Sequence, residues 1–599
     1  MKKSFAALFI FVAVLAAYAP AAHNGFVWDD TALVLRDPLI RSWRLIPEGF
    51  NHFLFVDATA SDFYRPIQRL TYTLEYGAFS FAPAAYHITN VLLHSAAAIA
   101  LLFFADELLL AYGVAALQRR WIAAIAALVW AIHPVQTAAV VYISGRADPL
   151  AALFGFLGCY LMLRGRTAVS RRAIPWLLGS GIAFLLGALS KESGLIFPAL
   201  AVVIAVLLKD KKIVMKNVAV AAFVATAYFS LRQAAEHHPT PSRSLTSPLA
   251  SRPILMARAL AEYAGLIVLP VNLHMDRQVD ARPTESIETN MNTFAAREIQ
   301  TLLGVILIGG ITYWLWQAHR QNPAVFKMLI LAGVTYLPVS GIVALNAPVA
   351  EHWIYVPTAF LFLAAGLVVT RLMETKQPLL VRGLSVALAC WMAFLVGRTC
   401  LRTLDWKDQR TFLERTIAAG GNSPRMLINL GGLELSEGKL DRAKAILNSA
   451  LEKEPDQPLA VINLAVVALR QNDFKMSRQL ALRARQMPWV DAQAEELIAV
   501  LDSKEKGNAN PLQLRLAART GPPNWTIEKR YVRFMNETGA TDAAIRELQA
   551  CLQTQWYRAE SWELLGQLLT KIGMVNEAAI ARRQAAAYDV HLSEHASVL

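Results

Sequence analysis

Two adjacent carboxylates, Asp29 and Asp30, lie in the stretch Phe26-Val27-Trp28-Asp29-Asp30, just beyond the first apolar run of the chain. An acid pair at a membrane surface can supply the general base that takes a proton from an attacking hydroxyl. Further ionisable groups recur at the matching ends of later apolar runs: Arg65 in Tyr64-Arg65-Pro66, His87, His133 before Pro134, Arg146 and Asp148 in Gly145-Arg146-Ala147-Asp148, Lys191 and Glu192, Asp276 near His274, and Glu351-His352. Carboxylates mixed with Arg, Lys and His on one face suit a substrate that carries a phosphate. A lipid-linked phosphosugar fits: its polyprenyl tail would lie among the helices, and Arg146, Lys191 and His352 would neutralise the phosphate. Asp29 or Asp30 would then accept the hydroxyl proton, while tight binding of the leaving phosphate stabilises charge that develops as the sugar departs. Singly, each residue has a plainer explanation. His133 can cap a helix, Lys191 and Glu192 can form an interfacial ion pair, and Arg65 can snorkel.

The elements that must position these groups follow from composition. The 599 residues are 55% hydrophobic and 17% charged, with a mean hydropathy of +0.37, too apolar for a soluble protein of this size. The chain is an integral membrane protein. Apolar runs near 4–22, 86–106, 120–137, 147–163, 173–189, 193–208, 214–231, 299–317, 325–345, 353–371 and 380–398 make about eleven spans. The formal charge of +13 does not point to nucleic acid, because Lys and Arg gather at the ends of apolar runs. Lys2 and Lys3, Arg119 and Arg120, Arg164 to Arg172, Lys209 to Lys216, His319 to Lys327, and Arg371 to Arg382 mark cytoplasmic connections, as the positive-inside bias requires. That bookkeeping makes residues 253–271, with Arg258 and Glu262, interfacial or re-entrant. An odd number of crossings puts the acid pair and everything after about residue 400 on the side away from the cytoplasm. The polar loop 23–85 is long for a mere connection, and such loops carry function. The first run also has the layout of a cleavable signal peptide; a retained helix is expected, because the acid pair follows directly and needs anchoring. The four cysteines, Cys159, Cys390, Cys400 and Cys551, lie far apart without metal-ligand or redox spacing.

From about residue 405 amphipathic helical periodicity replaces the apolar runs. Asn429-Leu430 recurs as Asn463-Leu464, Gly438 falls opposite Asn472, and Pro455 closes the first unit, a period of about 34 residues typical of tetratricopeptide helix pairs. A third unit begins near Trp562, and Gly521-Pro522-Pro523 marks a break. The chain therefore divides at about 400 into a membrane region, 1–400, and an α-solenoid, 401–599, whose concave groove can hold an extended peptide.

The ordered series Phe26-Val27-Trp28-Asp29-Asp30, Tyr64-Arg65-Pro66, Tyr86-His87 to Leu93-His94, His133-Pro134-Val135-Gln136-Thr137, Gly145-Arg146-Ala147-Asp148, Ser190-Lys191-Glu192, Leu337-Pro338-Val339 and Glu351-His352-Trp353-Ile354-Tyr355-Val356-Pro357 resembles the transmembrane and tetratricopeptide-repeat O-mannosyltransferases and their bacterial relatives over nearly the whole chain. The resemblance implies an all-α, type C glycosyltransferase fold with a large first outer loop, and inverting transfer from a polyprenyl-phosphate sugar. Asp29 would be the base and Asp30 a positioning group, or the reverse. His352 stands where the family often has Arg, and Gln136 where it often has a second His, so the identity of the sugar is not carried over. The acceptor implied is Ser or Thr of an exported protein held by the repeats. A lipid or surface polysaccharide acceptor is an alternative, as is a non-enzymatic transporter or scaffold. Metal dependence stays open: Asp29, Asp30, Asp148, Glu192 and Glu351 could hold a divalent cation through oxygen ligands, and a metal-free site is favoured because cationic residues are plentiful on the outer face. A bacterial inner membrane with periplasmic repeats is expected, and an endoplasmic reticulum membrane with lumenal repeats shares the topology.

Overall fold

The computed structural model describes residues 2–57, 61–167, 173–235, 251–277, 279, 291–342, 345, 347–374, 377–506, 515, 517 and 525–595. Gly521-Pro522-Pro523, Arg171, Arg172 and Lys376 lie outside the described residues. Among those described the chain is helical, and its only bridge is an isolated one between Arg277 and Val349. After α1 (Lys3–Tyr18), a long loop and α2 (Pro66–Phe79) lead to α3 (Pro83–Ala111), α4 (Ala116–Ile132), α5 (Ala147–Arg166), α6 (Ile174–Ser190), α7 (Ile196–Leu207) and α8 (Lys211–Ala234). Then come α9 (Arg252–Val268), α10 (Met291–Gln321), α11 (Pro323–Tyr336), α12 (Tyr355–Met373) and α13 (Pro378–Thr403). Proline occupies the start of α2, α3, α11 and α13, where its fixed φ suits a helix and its missing N–H has no partner to lose.

All eleven apolar runs form helices, but they are not of one length. Seven helices among the described residues are long and apolar enough to cross a membrane, or eight if α4 and the stretch Pro134–Val140, bent by 55°, form one broken span. The other three are shorter. A helix such as α6, with 17 residues, is about 26 Å long at 1.5 Å per residue, slightly less than the hydrocarbon core. The chain is a multi-pass membrane protein. The segment 253–271 becomes α9, which lies against α10 through Arg258 Nε donating to Thr301 Oγ1 (2.7 Å) and is not among the candidate spans.

The bundle has two chemically distinct ends. Near the C-terminus of α3, Asp106 meets Lys3 and Arg119, and Glu107 meets Arg164, so the basic residues read as cytoplasmic share one end. His87 lies near the other end of α3, and its Nε2 is 3.2 Å from the carbonyl of Gly25. Nineteen positions along one helix separate His87 from Asp106, about 28 Å or one hydrocarbon thickness. Between them the core is built from Trp130, Phe156, Phe104, Phe197 and Phe360, packed edge to face or stacked. Gly155 on α5 allows the Phe197 ring to lie against the helix backbone, since a Cβ there would overlap it.

Beyond the bundle, α14 (Gln409–Ala418) precedes helical hairpins α15–α16 (Pro424–Ser436, Leu440–Lys453) and α17–α18 (Pro458–Arg470, Phe474–Ala484), then α19 (Asp491–Lys506). Two further hairpins follow, α20–α21 (Trp525–Glu537, Thr541–Thr554) and α22–α23 (Ala559–Lys571, Val575–Tyr588). Gly438 and Asn472 both take positive φ, +79° and +62°, at the hairpin turns, where a left-handed residue ends the first helix. Gly539 and Gly573 repeat the device at +86° and +83°. The array returns to the membrane region: Tyr76 donates to Asp589 (2.7 Å), Val590 N–H donates to the Arg41 carbonyl (3.2 Å), and Tyr557 packs on Leu39 and Leu45.

Candidate active site

At the His87 end of the bundle a cavity of about 530 Å³ opens beneath the start of the repeat array. Asp29, Tyr142 and Ser144 line it together with the polar groups Arg65, Asp148, Lys191, Glu192, Asp276, Arg277, His352 and Arg425. Its apolar side comes from Phe197, Pro338, Val339, Leu345 and Val356. The acids reach it by a strained turn. Trp28 has φ +51°, a conformation that costs a bulky residue on the order of 1–3 kcal/mol. The turn is held because Asp30 N–H donates to the Val27 carbonyl while Val27 N–H donates to Asp30 Oδ2, both at 3.0 Å.

The two carboxylates occupy different surroundings. Asp30 is fully buried, and its Oδ1 accepts from Ser144 N–H (2.8 Å) and Ser144 Oγ (2.6 Å). Both oxygens are therefore committed to backbone and hydroxyl donors. Asp29 faces the cavity, and its N–H donates to the Tyr142 hydroxyl (3.2 Å). Burial raises the Asp29 carboxyl above the ordinary range, against the Tyr142 hydroxyl and the charges of Arg425 and Arg65, which favour the ionised form. Burial pushes Asp30 up to about 7, opposed by its bonds from Ser144 and Val27 and helped by the nearby Asp29 charge.

The cationic groups on the cavity each hold a carboxylate. Arg65 pairs with Glu192 (2.8 Å) and Lys191 with Asp148 (2.6 Å). Arg425 pairs with Asp276 (2.9 Å), and Arg277 pairs with Glu262 and, at 3.4 Å, Glu351. His352 lines the same space with a buried Nδ1 that has no hydrogen-bond partner among the described residues. Among the described residues no three His, Cys, Asp or Glu side chains gather as a metal site would require.

Four sequence-designated residues sit behind the cavity. Arg146 is fully buried, paired with Glu75, and all five of its N–H groups are taken: Nε by Asn90 (2.7 Å), the others by Glu75, Thr71 (3.1 Å) and the Tyr86 carbonyl (3.0 Å). It has no donor left for a phosphate. Glu351 accepts from His274 N–H (2.6 Å) and pairs with Arg402 (3.3 Å). His133 accepts from Val135 N–H (3.2 Å) as a cap and reaches the Ile267 carbonyl (3.0 Å), and His87 holds Gly25. These brace the walls. Sequence reasoning missed Tyr142, Arg277 and Arg425, although Arg277 adjoins Asp276 and shared its signal.

Residues 434–501 match the Tetratricopeptide repeat family. "Protein O-mannosyl-transferase F38B6.6" of Caenorhabditis elegans is 23% identical over 450 residues, 73% of this chain and 61% of that protein. The human "Protein O-mannosyl-transferase TMTC3" is 22% identical over 517 residues, 79% of this chain and 54% of its own. The human TMTC2 protein of the same name is 32% identical over 200 residues, 32% of this chain and 22% of its own. Its relatives are protein O-mannosyl-transferases. The chain spans about three fifths or less of the length of these relatives. Among solved structures, ArnT from Cupriavidus metallidurans bound to undecaprenyl phosphate is similar at a TM-score of 0.35 and 15% identity, covering 84% of this chain and 81% of that one.

Proposed function

We propose that the protein is a membrane glycosyltransferase that moves a sugar from a polyprenyl-phosphate carrier to a hydroxyl, that of Ser or Thr in an exported protein. Asp29 is the base. It takes the acceptor proton as the hydroxyl oxygen attacks the anomeric carbon, the bond from that carbon to the phosphate oxygen breaks on the opposite face, and the carrier phosphate leaves with the electron pair and inversion. A raised carboxyl suits this role, since a base works best when its proton affinity approaches the working pH. Asp30 holds the turn, and its bonds to Ser144 set the distance between that turn and Tyr142.

Lys191, Arg65, Arg277 and His352 face the leaving phosphate. Lys191 and Arg65 are neutralised by Asp148 and Glu192, so an incoming phosphate exchanges one anion for another and does not meet bare buried cations. The apolar wall at Pro338, Val339 and Val356 gives the prenyl tail a path toward lipid. The reading extends to the whole chain as a membrane domain, 1–400, with the outer loop 23–85, and a repeat domain, 401–599, that captures the acceptor on the outer face of a bacterial inner membrane. O-mannosyl transfer in the relatives supports the class of reaction.

The observation that carries this reading is the placement of Asp29 on a cavity lined by both cationic and apolar residues. Asp29→Asn is expected to abolish transfer, below 1% of wild type, while the protein stays inserted and folded. A variant that transfers at the wild-type rate would remove Asp29 as the base.

A further inference from the structure

The turn that presents Asp29 is not held by the membrane helices alone. Asn24 Nδ2 donates to the Thr403 carbonyl (2.9 Å), and Gly25 N–H donates to the Lys407 carbonyl (2.8 Å). Trp28 N–H donates to Gln409 Oε1 (2.6 Å), and the Trp28 ring lies 5.5 Å from that of Phe412. The Arg425 guanidinium stands 5.0 Å from the centre of the same indole. Gln409 and Phe412 belong to α14, and Arg425 to the first turn of α15, the opening helix of the hairpin array. A side chain from the soluble part of the chain thus reaches the cavity wall.

Resting on the reading of Asp29 as the base, we infer that Gln409 and Arg425 are positioning residues for it, so that the root of the repeat array completes the active centre. The geometry gives each a task. A left-handed Trp28 persists only where its surroundings over-determine it, and Gln409 supplies a short bond at the residue that bears the strain. Arg425 packs on the exposed face of Trp28 and bonds Asp276 across the cavity at 2.9 Å, tying the outer loop to the 274–277 segment. The second oxygen of Asp276 is buried with no hydrogen-bond partner among the described residues, so without Arg425 an isolated carboxylate would face the site.

The charged and titratable groups facing Asp29 come from four segments: Tyr142, Arg65, Arg425 and its own neighbour Asp30. Arg425 and Arg65 favour the ionised carboxylate. Removing Arg425 therefore raises the proton affinity of the base, and the acidic limb of the rate profile moves to higher pH.

The test uses the full-length chain in nanodiscs, with polyprenyl-phosphate mannose as donor and a Ser/Thr peptide as acceptor, over pH 5 to 9. Arg425→Ala is expected to lower kcat about tenfold with little change in acceptor KM, and to move the acidic limb up by about one pH unit. Arg425→Lys keeps a cation and is expected to recover most of the rate. The swap Arg425→Asp with Asp276→Arg keeps the ion pair but leaves an anion beside Asp29, so it is expected to keep the melting temperature and lose the rate. A wild-type kcat and pH profile in Arg425→Ala, or a wild-type rate in the swap, would overturn the inference. Should Arg425→Ala not fold, Gln409→Ala carries the same test: a loss of kcat with acceptor KM unchanged supports it, and a wild-type kcat overturns it. An active Asp29→Asn would remove the base and this inference together; an inactive Asp29→Asn beside an unaltered Arg425→Ala removes this inference alone.

Discussion

Replacing Arg146 by Met separates two roles that the sequence leaves open. Arg146 has no exposed surface, and its side chain makes five hydrogen bonds, two of them to a Glu75 that is only 7% exposed and, among the described residues, has no other hydrogen bond or ion pair. Removing the guanidinium strands that carboxylate in the protein interior and also frees Asn90. Breaking one side of such a buried pair costs about 3–5 kcal/mol, most of it the penalty of the orphaned charge. The expected result is a poorly folded protein, with the melting temperature in detergent lowered by on the order of 5 °C or more and a reduced monodisperse fraction on size exclusion. Arg146→Met combined with Glu75→Leu removes both charges and is expected to regain most of the loss, a coupling that a double-mutant cycle measures. Wild-type stability in Arg146→Met with only a raised donor KM would refute the reasoning and make Arg146 a phosphate ligand.

The remaining predictions concern the cavity itself. Lys191→Met is expected to raise the donor KM at least tenfold, about 1.4 kcal/mol, with acceptor KM unchanged; an unaltered donor KM would move the phosphate to Arg65 and Arg277. Because burial raises the Asp29 carboxyl, the rate is expected to fall as pH drops through a value above the ordinary carboxylate range near 4, and a profile flat down to pH 4 would contradict this. Asp30 contributes to stability with the opposite sense. Its folded value near 7 exceeds its unfolded one, so its contribution is full below about pH 4 and fades as pH rises through 7. Asp30→Asn should flatten that part of the stability profile.

Much of the site was legible because ionisable groups in an apolar chain are costly and stand out. Asp29, Arg65, Asp148, Lys191, Glu192, Asp276 and His352 were each marked on that ground, and they line one cavity. The same signal could not say whether a charge faces substrate or a partner. Arg146 is answered by Glu75, which sits on the half-polar helix α2 where an acid draws no notice, and Glu351 by Arg277 and Arg402. Arg425 was invisible for the converse reason: in the soluble segment a charged residue is ordinary. The eleven apolar runs gave the helices, while their division into long spans and short ones depends on where each helix breaks, as at Lys191 between α6 and the Glu192–Leu207 stretch. In the array, the 34-residue spacing of Gly438 and Asn472 was readable. The hairpin α20–α21 was missed, although its turn glycine, Gly539, stands 34 residues before Gly573, because the residues around it lack the Asn-Leu pairing of the first two units.

Two frames meet at Asp29. One is rigid and lies along α3, where His87, Asn90 and His94 fall three and four residues apart and so share one face. His87 holds Gly25, Asn90 donates to the carbonyls of Val140 (3.1 Å) and Tyr142 (3.0 Å), and His94 bonds Tyr355 and the Ala131 carbonyl (2.9 Å). One helix face thereby sets the heights of the acid loop, the Tyr142 segment and the start of α12 relative to one another. The other frame is the α14–α15 root, which meets Trp28 at its backbone and its ring. Both are packed side chain on side chain, the second through Phe412, Leu413 and Met426, which belong to the bundle's own apolar core, and buried side chains have few alternative arrangements. A change in either frame therefore reaches the Gly25–Asp30 loop, from the side of α3 through His87 and from the side of the array through Gln409 and Phe412.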